Sequence, residues 1–264
     1  MVAAAKLRLD KLLMERALAP SRERAQAMIM AGRVLVNEQK LDKPGAPVAA
    51  DAVVRILGDD LRYVSRGGLK LEHALKHWNV DLNGLFCLDV GVSTGGFTDC
   101  MLQHGAAEVL GVDTGAGQIA EKLRQDTRVN LRERTNARLL QPGDLPAGIR
   151  FLAMDVSFIS ATLVLPAVVG ALKAAEQGSW PGQMVVLVKP QFEAGREAVG
   201  KGGIVRDEAA QKGAVEKVRQ CVAELGGGEI EVIDSPILGG GEGGEGNREF
   251  LLHAVFGPAE GTLG

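Results

Sequence analysis

The sequence predicts an α/β protein in which a mostly parallel β-sheet, covered by helices on both faces, follows a small α+β domain. Three observations support this prediction. From residue 85 onward, seven short apolar runs alternate with helical segments, a glycine-rich turn follows the first run, and the first 46 residues differ in charge from the rest. Such alternation is typical of parallel strands joined by right-handed helical crossovers.

The composition excludes several classes of protein. With 264 residues, 46% of them hydrophobic and 24% charged, the chain has the composition of a folded domain. Its longest charge-free stretch, Ser157–Leu172, is shorter than the roughly 20 apolar residues of a membrane span, and the N-terminus lacks the apolar core of a signal peptide. The scattered Cys87, Cys100 and Cys221 form neither a disulfide framework nor a zinc pattern. We therefore expect a cytoplasmic protein with no membrane segment and no metal site.

The small domain is predicted to contain two helices followed by strands. Leu9, Leu12 and Leu13 recur at helical spacing, and Ser21 is a suitable N-cap for a second helix that ends near Gly32. Short β-branched runs then predict two strands. These strands are Arg33–Asn37 and Val53–Ile56.

The charge of the chain is divided unevenly. Residues 1–46 carry nine Lys and Arg against five Asp and Glu, a net charge of +4, whereas the remaining residues carry a net charge of −7. Arg22 and Arg24 begin the second predicted helix, and a helix N-terminus flanked by guanidinium groups favours phosphates. The small domain is thus suited to a polyanion, although a merely solvated charged surface is the alternative.

The larger domain begins after a polar passage between Gly58 and Gly68. We predict a small domain at 1–60, a linker at 61–67, the larger domain at 68–257 and a tail at 258–264. The predicted strands are Leu85–Val90, Glu108–Asp113, Val129–Arg132, Phe151–Asp155, Met184–Lys189, Glu229–Ser235 and Glu249–Val255. The predicted helices between them include Phe97–His104, Ile119–Arg124, Leu163–Ala175 and Asp207–Leu225.

The turn after the first of these strands is typical of a nucleoside site. Glycines there allow a ligand to approach the backbone, and Asp113, at the end of the second strand, can accept hydrogen bonds from both hydroxyls of a ribose. A purely structural turn is the alternative. The candidate residues of the turn are Asp89, Gly91, Ser93, Thr94, Gly95, Gly96 and Phe97.

The motifs also indicate which nucleoside is bound. The turn has the spacing G-x-x-x-G-G rather than the dinucleotide pattern G-x-G-x-x-G, and Gly200-Lys201 is followed by Gly202, which excludes a P-loop. Asp89 would repel a pyrophosphate but suits a ligand with an ammonium and a sulfonium group. This charge argument favours S-adenosylmethionine over a nicotinamide cofactor or ATP.

Three charged residues lie at the ends of apolar strands, and a fourth lies at the start of a helix. Asp155 could simply cap the next helix, Glu249 could be an exposed edge residue, and Lys70 could be solvated. Lys189 has no such simple explanation, because lysine is rarely buried unless it is paired and Pro190 fixes it at a strand end.

The motifs of both domains resemble those of known families. Arg8–Leu13, Ser21–Ala25 and Ala31–Asn37 resemble the alpha-L RNA-binding module found in a ribosomal protein, tyrosyl-tRNA synthetases and pseudouridine synthases. Six ordered motifs of nearly the whole chain resemble the TlyA (haemolysin A) family of ribosomal RNA ribose methyltransferases, which are related to the RrmJ/FtsJ enzymes. These motifs are Gly67–Lys70, Ser93–Thr98, Glu133–Arg138, Asp155–Ser160, Val188–Glu193 and Gly246–Phe250.

The resemblance implies a Rossmann-like class I methyltransferase fold with a seven-stranded sheet, and S-adenosylmethionine as cofactor. It implies a catalytic tetrad of Lys70, Asp155, Lys189 and Glu249, and adds Asn136 and Asp155 to the cofactor site. It also implies ribosomal RNA or a ribosomal subunit as partner. The expected RNA-binding residues are Arg8, Lys11, Arg22, Arg24, Arg33 and Arg66.

The chemistry of ribose methylation agrees with these residue types. Methyl transfer to a 2′-hydroxyl is an in-line displacement, in which a nearby base can take the hydroxyl proton. Lys189 could be this base or could stabilise the developing oxyanion, with Lys70 lowering its proton affinity and Asp155 and Glu249 orienting the ammonium groups. Base methylation is disfavoured, because Asp155-Val156-Ser157-Phe158 lacks the Pro-Pro turn of amino methyltransferases and no cysteine is placed for carbon-5 attack.

Some features depart from the family pattern. The loop Gly239–Gly246 is long and rich in glycine, so we expect Glu249 to become fixed when RNA or cofactor binds. The chain stops soon after the last strand, which favours large-subunit RNA as the substrate, and the resemblance suggests a cytidine in a protein that acts as a monomer. The alternative functions are a non-catalytic RNA-binding or ribosome-assembly factor and a haemolysin-like membrane-active protein.

Overall fold

The computed structural model of the chain describes residues 6–16, 18–19, 21–57, 62–240 and 246–257. The chain divides into two compact units, Met1–Leu61 and Arg62–Gly264. Each unit has its own hydrophobic core. The predicted tail 258–264 lies outside the described residues. Residues 62–66 of the predicted linker belong to the larger unit, and Tyr63 is buried in its core.

The smaller unit is an α+β structure. Its elements are β1 (Lys6–Arg8), α1 (Leu9–Glu15), α2 (Arg22–Met30), β2 (Val34–Val36), β3 (Gln39–Lys40), β4 (Pro47–Ala49) and β5 (Val54–Ile56). Both predicted helices and both predicted strands are present, and the Ser21 side chain caps α2 by accepting a hydrogen bond from the Arg24 amide at 3.2 Å. The sequence did not predict β1, β3 and β4, because strands of two or three residues are too short to show an alternating pattern.

The larger unit alternates strands and helices. Its helices are α3 (Gly67–His77), α4 (Gly96–Gln103), α5 (Glu121–Arg124), α6 (Ala161–Ala175), α7 (Pro190–Glu193) and α8 (Glu208–Glu224). Its strands are β6 (Phe86–Val90), β7 (Glu108–Val112), β8 (Val129–Arg132), β9 (Ile149–Met154), β10 (Gly182–Val188), β11 (Gly228–Asp234) and β12 (Phe250–Phe256). All seven predicted strands are confirmed with small shifts at their ends, whereas the short helix α7 was not predicted.

The seven strands form one sheet in the order β11-β12-β10-β9-β6-β7-β8. All neighbours pair in parallel except β12, which runs antiparallel to both β10 and β11. The strand order reverses between β6 and β9, since β7 and β8 extend to one side of β6 and the later strands to the other. A crevice forms at the carboxyl ends of strands where such a reversal occurs.

Both faces of the sheet are covered. Leu88 and Val90 of β6 pack in a core with α6 and α8, whereas Cys87 of the same strand packs in a second core with α3 and α4. This alternation explains why the strands read as continuous apolar runs, because residues on both faces are buried. In the part of the chain that the structure describes, none of the helices is long and apolar enough to span a membrane.

Candidate functional site

Two adjoining cavities lie at the reversal point of the sheet. The larger has a volume of about 450 Å³ and the smaller about 230 Å³. Gly91, Ser93 and Asp155 line both cavities, so the two spaces meet at the ends of β6 and β9. A volume of several hundred Å³ is typical of a small-molecule site.

The glycine-rich turn lies directly against the end of β9. Gly91 has φ +91°, and a Cβ atom there would lie 2.4 Å from the carbonyl oxygen of Asp155. The Asp155 amide donates a hydrogen bond of 2.9 Å to the Val90 carbonyl. Because no side chain fits between the two strand ends, glycine at position 91 brings the turn and Asp155 into one site.

The larger cavity is lined by acidic, neutral polar and apolar groups. Asp113 accepts hydrogen bonds from the Ser93 amide at 2.7 Å and the Gly115 amide at 2.6 Å, which fixes its carboxylate at the end of β7. Asn136 also lines this cavity. Asp113 and Asp155 are the charged groups among the described lining residues, and neither Lys nor Arg is among them. This lining suits a neutral or cationic nucleoside and disfavours a pyrophosphate.

Asp89 lies beneath the cavities rather than in their walls. Its side chain is fully buried, and its Oδ2 atom accepts a hydrogen bond of 2.6 Å from the Thr98 hydroxyl. Its Oδ1 atom has no hydrogen-bond partner among the described residues. Burial raises the pKa of Asp89 to about 7, opposed by the Thr98 hydroxyl and supported by the nearby Asp155 carboxylate.

The rest of the predicted turn is divided between the two cavities. Ser93 lines both, and Thr94, Gly96 and Phe97 line the smaller one. Gly95, with φ +93°, is the N-cap residue of α4 and packs against Ile119 and Leu123 instead. The turn therefore supplies both cavity wall and helix start.

The four predicted catalytic residues meet at the same edge of the sheet. Lys189 Nζ lies 2.6 Å from Asp155 Oδ1, and it donates a hydrogen bond of 2.7 Å to the Ser157 hydroxyl. Lys70 Nζ forms an ion pair with Glu249. Val188 pairs with Phe250 across β10 and β12, so the residues next to them, Lys189 and Glu249, leave the sheet side by side.

The two ion pairs face the cavities differently. Lys70 and Asp155 line the smaller cavity, whereas Lys189 and Glu249 lie behind the lining and contact it through their partners. Glu249 is buried and paired with Lys70. That RNA or cofactor binding further fixes Glu249 stays a prediction.

The backbone at Gly239 passes so close to Glu249 that only glycine fits at this position. A Cβ atom at Gly239 would overlap the Glu249 carboxylate, so the chain passes directly over the acid. Gly239 also forms an isolated antiparallel bridge with Asn247, and Leu238 and Gly240 beside it line the smaller cavity. Residues 241–245 of the predicted glycine-rich loop lie outside the described residues.

Two residues of the site were not predicted from the sequence. Ser157 accepts a hydrogen bond from Lys189, in addition to the Lys189–Asp155 ion pair. Phe158 lines the larger cavity and has 92% of its surface exposed. Its backbone has φ +65°, and its ring lies beside that of Phe192, with the ring centroids 5.5 Å apart. An apolar residue between a strand and a helix is ordinary in sequence, so its exposure became visible only in the fold.

The predicted RNA-binding residues lie in both units. Arg8 and Arg22 contact Asp10, and Arg33 donates to the Leu57 carbonyl at 3.1 Å. Lys11 is exposed, and Arg24 is half-buried. In the larger unit, exposed Arg66 lines the smaller cavity. Among the described residues, no group of three His, Cys, Asp or Glu side chains is placed to hold a metal ion.

The sequence matches two protein families. Residues 63–256 match the FtsJ-like methyltransferase family, and residues 7–54 match the S4 domain. The two matches correspond to the larger and the smaller unit of the structure.

Several relatives match nearly the whole chain over most of their own length. The chain is 49% identical over 261 residues to YqxC of Bacillus subtilis (strain 168), named as a candidate rRNA methyltransferase, with 98% of this chain and 89% of that protein covered. It is 40% identical over 250 residues to the 16S/23S rRNA (cytidine-2'-O)-methyltransferase TlyA of Mycobacterium tuberculosis, with 94% and 90% covered. The solved structure of a candidate hemolysin from Streptococcus thermophilus shares 42% identity and a TM-score of 0.69, with 96% and 90% covered.

These matches agree with the fold and with the lysine–carboxylate pairs beside a nucleoside-sized cavity. The seven-stranded sheet is that of a methyltransferase, and the family implies S-adenosylmethionine as the methyl donor. The chain is an enzyme of the FtsJ-like methyltransferase family and, with its S4 domain, belongs to the TlyA (haemolysin A) group of that family.

Proposed function

We propose that this protein transfers a methyl group from S-adenosylmethionine to the ribose 2′-hydroxyl of a cytidine in ribosomal RNA. One observation carries the proposal. A nucleoside-sized cavity, whose described lining residues include no Lys or Arg, meets a second cavity at Asp155. Asp155 is paired with Lys189 beside the Lys70–Glu249 pair. Donor and acceptor would thus meet where the charged groups are concentrated.

The larger cavity fits the donor by its chemistry. Asp113 can accept hydrogen bonds from ribose hydroxyls, since its two oxygens retain lone pairs beyond those used by the Ser93 and Gly115 amides. Val112 and Ile159 offer apolar surface for a base. Beneath the turn, the Oδ1 atom of Asp89 has no hydrogen-bond partner among the described residues and keeps its lone pairs available to accept a hydrogen bond.

The smaller cavity would hold the reacting groups. When bound, S-adenosylmethionine supplies an electrophilic methyl group on a sulfonium. We propose that Lys189 acts on the acceptor hydroxyl, as base or as stabiliser of the developing oxyanion, with Asp155 and Ser157 fixing its ammonium group. Lys70, held by Glu249, contributes a second positive charge that lines the same cavity as Asp155.

Phe158 is suited to hold the acceptor nucleotide. Phe158 presents an exposed aromatic ring at the larger cavity, held in a left-handed backbone conformation that is uncommon for a bulky residue. Stacking on an aromatic ring is the usual way in which proteins hold a single unstacked base. We propose that the acceptor base stacks on Phe158, while Arg66 at the smaller cavity contacts a neighbouring phosphate.

The substrate is proposed from the relatives and from the S4 domain. TlyA of Mycobacterium tuberculosis is named for cytidines of 16S and 23S rRNA, and the basic S4 unit provides the RNA contacts. We propose large-subunit RNA as the substrate, modified by a monomer in the cytoplasm. A membrane-active function is not favoured, because the described helices include no membrane span and the charged site of a methyltransferase is present.

The test is methyl transfer followed by mapping. Purified protein is incubated with labelled S-adenosylmethionine and with isolated 23S rRNA, 16S rRNA or assembled subunits, and the methylated nucleotides are located by mass spectrometry. We expect a single 2′-O-methylcytidine in the large-subunit RNA. Transfer to a base atom, or RNA binding without transfer, would contradict the proposal. The second result would favour the assembly-factor function.

A further inference from the structure

The smaller unit contains a buried carboxylate, Asp10, that contacts two arginines. Asp10 has 0% exposed surface. Its Oδ1 atom accepts hydrogen bonds from Arg8 Nε and the Lys11 amide, both at 3.0 Å. Its Oδ2 atom accepts from Arg8 Nη2 at 2.8 Å, and from Arg22 Nε and Gln26 Nε2 at 3.1 Å. A single aspartate therefore joins three side chains from β1 and α2.

The contacts keep Asp10 charged. The Arg8 hydrogen bonds hold the pKa of this carboxyl far below its usual range, and Gln26 and Arg22 act in the same direction. A buried carboxylate with five donors is fully satisfied and resists displacement. The cluster is thus a fixed part of the unit and carries a net charge of +1.

The side chains of Arg8 and Arg22 are partly exposed, whereas the carboxylate that they contact is buried. About half of each side chain is exposed, 47% for Arg8 and 51% for Arg22, while the carboxylate they share is covered. Arg22 contacts Asp10 through Nε, and Arg8 uses Nε and Nη2. Both guanidinium groups are therefore anchored on one edge and exposed on the other. Anchoring reduces the side-chain entropy that an arginine loses when it binds a ligand.

We infer that Asp10 is a positioning residue that fixes Arg8 and Arg22 as a preorganised pair for the phosphates of an RNA backbone. Planar guanidinium groups with fixed orientation recognise phosphate oxygens through paired hydrogen bonds. Arg22 also lies in the first turn of α2, where the helix N-terminus favours an anion. The inference rests on the proposed function, since it identifies how the S4 unit holds the same RNA.

The alternative is that Asp10 only stabilises the fold. The two roles predict different effects of Asp10 substitutions on RNA binding. A positioning residue loses its effect on RNA binding once the arginines it positions are absent, whereas a structural residue does not.

The experiment compares Asp10→Asn with a matched control in the full-length protein. Glu38 and Arg55 form a two-pronged ion pair on the same unit, with N–O distances of 3.1 and 2.6 Å, but both side chains are exposed. Glu38→Gln therefore removes the same charge from the same kind of pair. Binding to an in vitro transcript of 23S rRNA is measured by filter retention. We expect Asp10→Asn to lose on the order of tenfold in affinity and Glu38→Gln less than about twofold.

The decisive comparison uses the double-arginine background. When Arg8 and Arg22 are both replaced by Ala, adding Asp10→Asn is expected to change the affinity by less than about twofold. An unchanged tenfold loss in that background would overturn the inference. Urea unfolding of each variant separates a loss of affinity from a loss of folded protein.

Should Asp10→Asn not fold, the charge-conserving pair Arg22→Lys and Arg55→Lys tests the same idea. Lysine keeps the charge but lacks the planar fork, so Arg22→Lys is expected to weaken binding several-fold and Arg55→Lys is not. Equal affinities of the two variants would overturn the inference. The proposed function fails separately, when the wild-type protein binds no ribosomal RNA.

Discussion

The two units of the protein use positive charge in opposite ways. In the S4 unit, Arg8 and Arg22 are about half exposed, and the carboxylate that holds them is buried. In the methyltransferase unit, the lysines themselves are covered, with 10% of the Lys70 side chain and 11% of the Lys189 side chain exposed. An exposed cation attracts phosphate from solution, whereas a covered cation acts on a group brought into its cavity. The exposed arginines are thus suited to binding RNA, and the covered lysines are suited to acting on a bound group.

The buried aspartates of the two units show the same contrast. Asp10 and Asp89 both lack exposed surface, but arginines lower the pKa of Asp10, whereas burial raises the pKa of Asp89 to about 7. Asp10 accepts hydrogen bonds from charged partners, whereas Asp89 accepts from Thr98 and, among the described residues, has one oxygen without a hydrogen-bond partner. The partners of a buried carboxylate, and not its burial alone, decide whether it is charged.

The largest expected effect is on the rate of methyl transfer, and it comes from replacing Lys189. We predict that Lys189→Ala lowers the rate of methyl transfer by roughly a thousandfold, because it removes the group proposed to act on the acceptor hydroxyl. RNA binding, measured by filter retention, is expected to stay unchanged, since Lys189 is not among the exposed cations. Lys189→Arg distinguishes the two roles: arginine keeps a positive charge but cannot serve as a base at neutral pH.

Lys217→Ala is the control for that prediction. Lys217 is exposed and lies 3.8 Å from the Glu193 carboxylate, outside both cavities. If Lys189→Ala transferred methyl groups at the normal rate, Lys189 would have no role in the chemistry. The contrast between binding arginines and catalytic lysines would then be wrong.

The second effect tests the exposed arginines. Arg22→Glu is expected to weaken binding to 23S rRNA by at least about tenfold and to flatten the dependence of affinity on salt, because a phosphate contact is replaced by repulsion. At saturating RNA the rate of transfer is expected to stay near the wild-type value. The measurement is a salt titration of the affinity, with Arg55→Glu as control. Equal salt slopes for the two variants would show that Arg22 does not contact phosphate.

A smaller effect sharpens the description of the lysine site. Ser157→Ala removes one of the two partners of Lys189 and is expected to lower kcat by about tenfold with little change in KM, because the ammonium group is less well oriented. Ser157→Thr restores a hydroxyl at the same position and should recover most of the rate. A loss that appears in KM instead would assign Ser157 to binding of the donor or acceptor.

The smallest effect tests the buried Asp89 through stability. Because its pKa is raised to about 7, the folded protein retains a proton that the unfolded chain releases near pH 4. The contribution of Asp89 to the free energy of unfolding is therefore greatest below about pH 4 and falls as the pH rises towards 7. Asp89→Asn should remove this slope, which is at most about 1.4 kcal/mol per pH unit.

Fluorescence can follow this change in one unit alone, because Trp78 and Trp180, the two tryptophans of the sequence, both lie in the methyltransferase unit. Urea unfolding at pH 5.5 and pH 7.5 gives the slope for wild type and variant. Asp126→Asn is the control, since Arg128 lowers the pKa of Asp126 to about 2 and its ionisation does not change in this range. Equal slopes for wild type and Asp89→Asn would mean that Asp89 is charged despite its burial.

Sequence and structure contributed differently to the site. The strands were predictable because their residues are buried on both faces and read as apolar runs, and the charged residues were recognisable as exceptions at the ends of those runs. Phe158 and Ser157 were not predictable, because a phenylalanine and a serine between a strand and a helix are ordinary in composition. Gly239 was visible only as part of a glycine-rich loop, and its contact with Glu249 requires the loop and β12 to be placed together.

The sequence by itself determined the fold class, the two-part organisation and the four charged residues of the candidate tetrad, because these depend on local patterns of polarity and on motif order. Only the tertiary structure decided how those charges pair. Lys70 and Glu249 are 179 positions apart in the chain, and their pairing follows from the packing of α3 against β12. The pairing of Lys189 with Asp155 follows from the neighbouring positions of β10 and β9 in the sheet. The same holds for Asp10, whose covered carboxylate depends on α2 packing against α1. Pairing is a matter of distance in space, and a linear pattern of residues does not contain that distance.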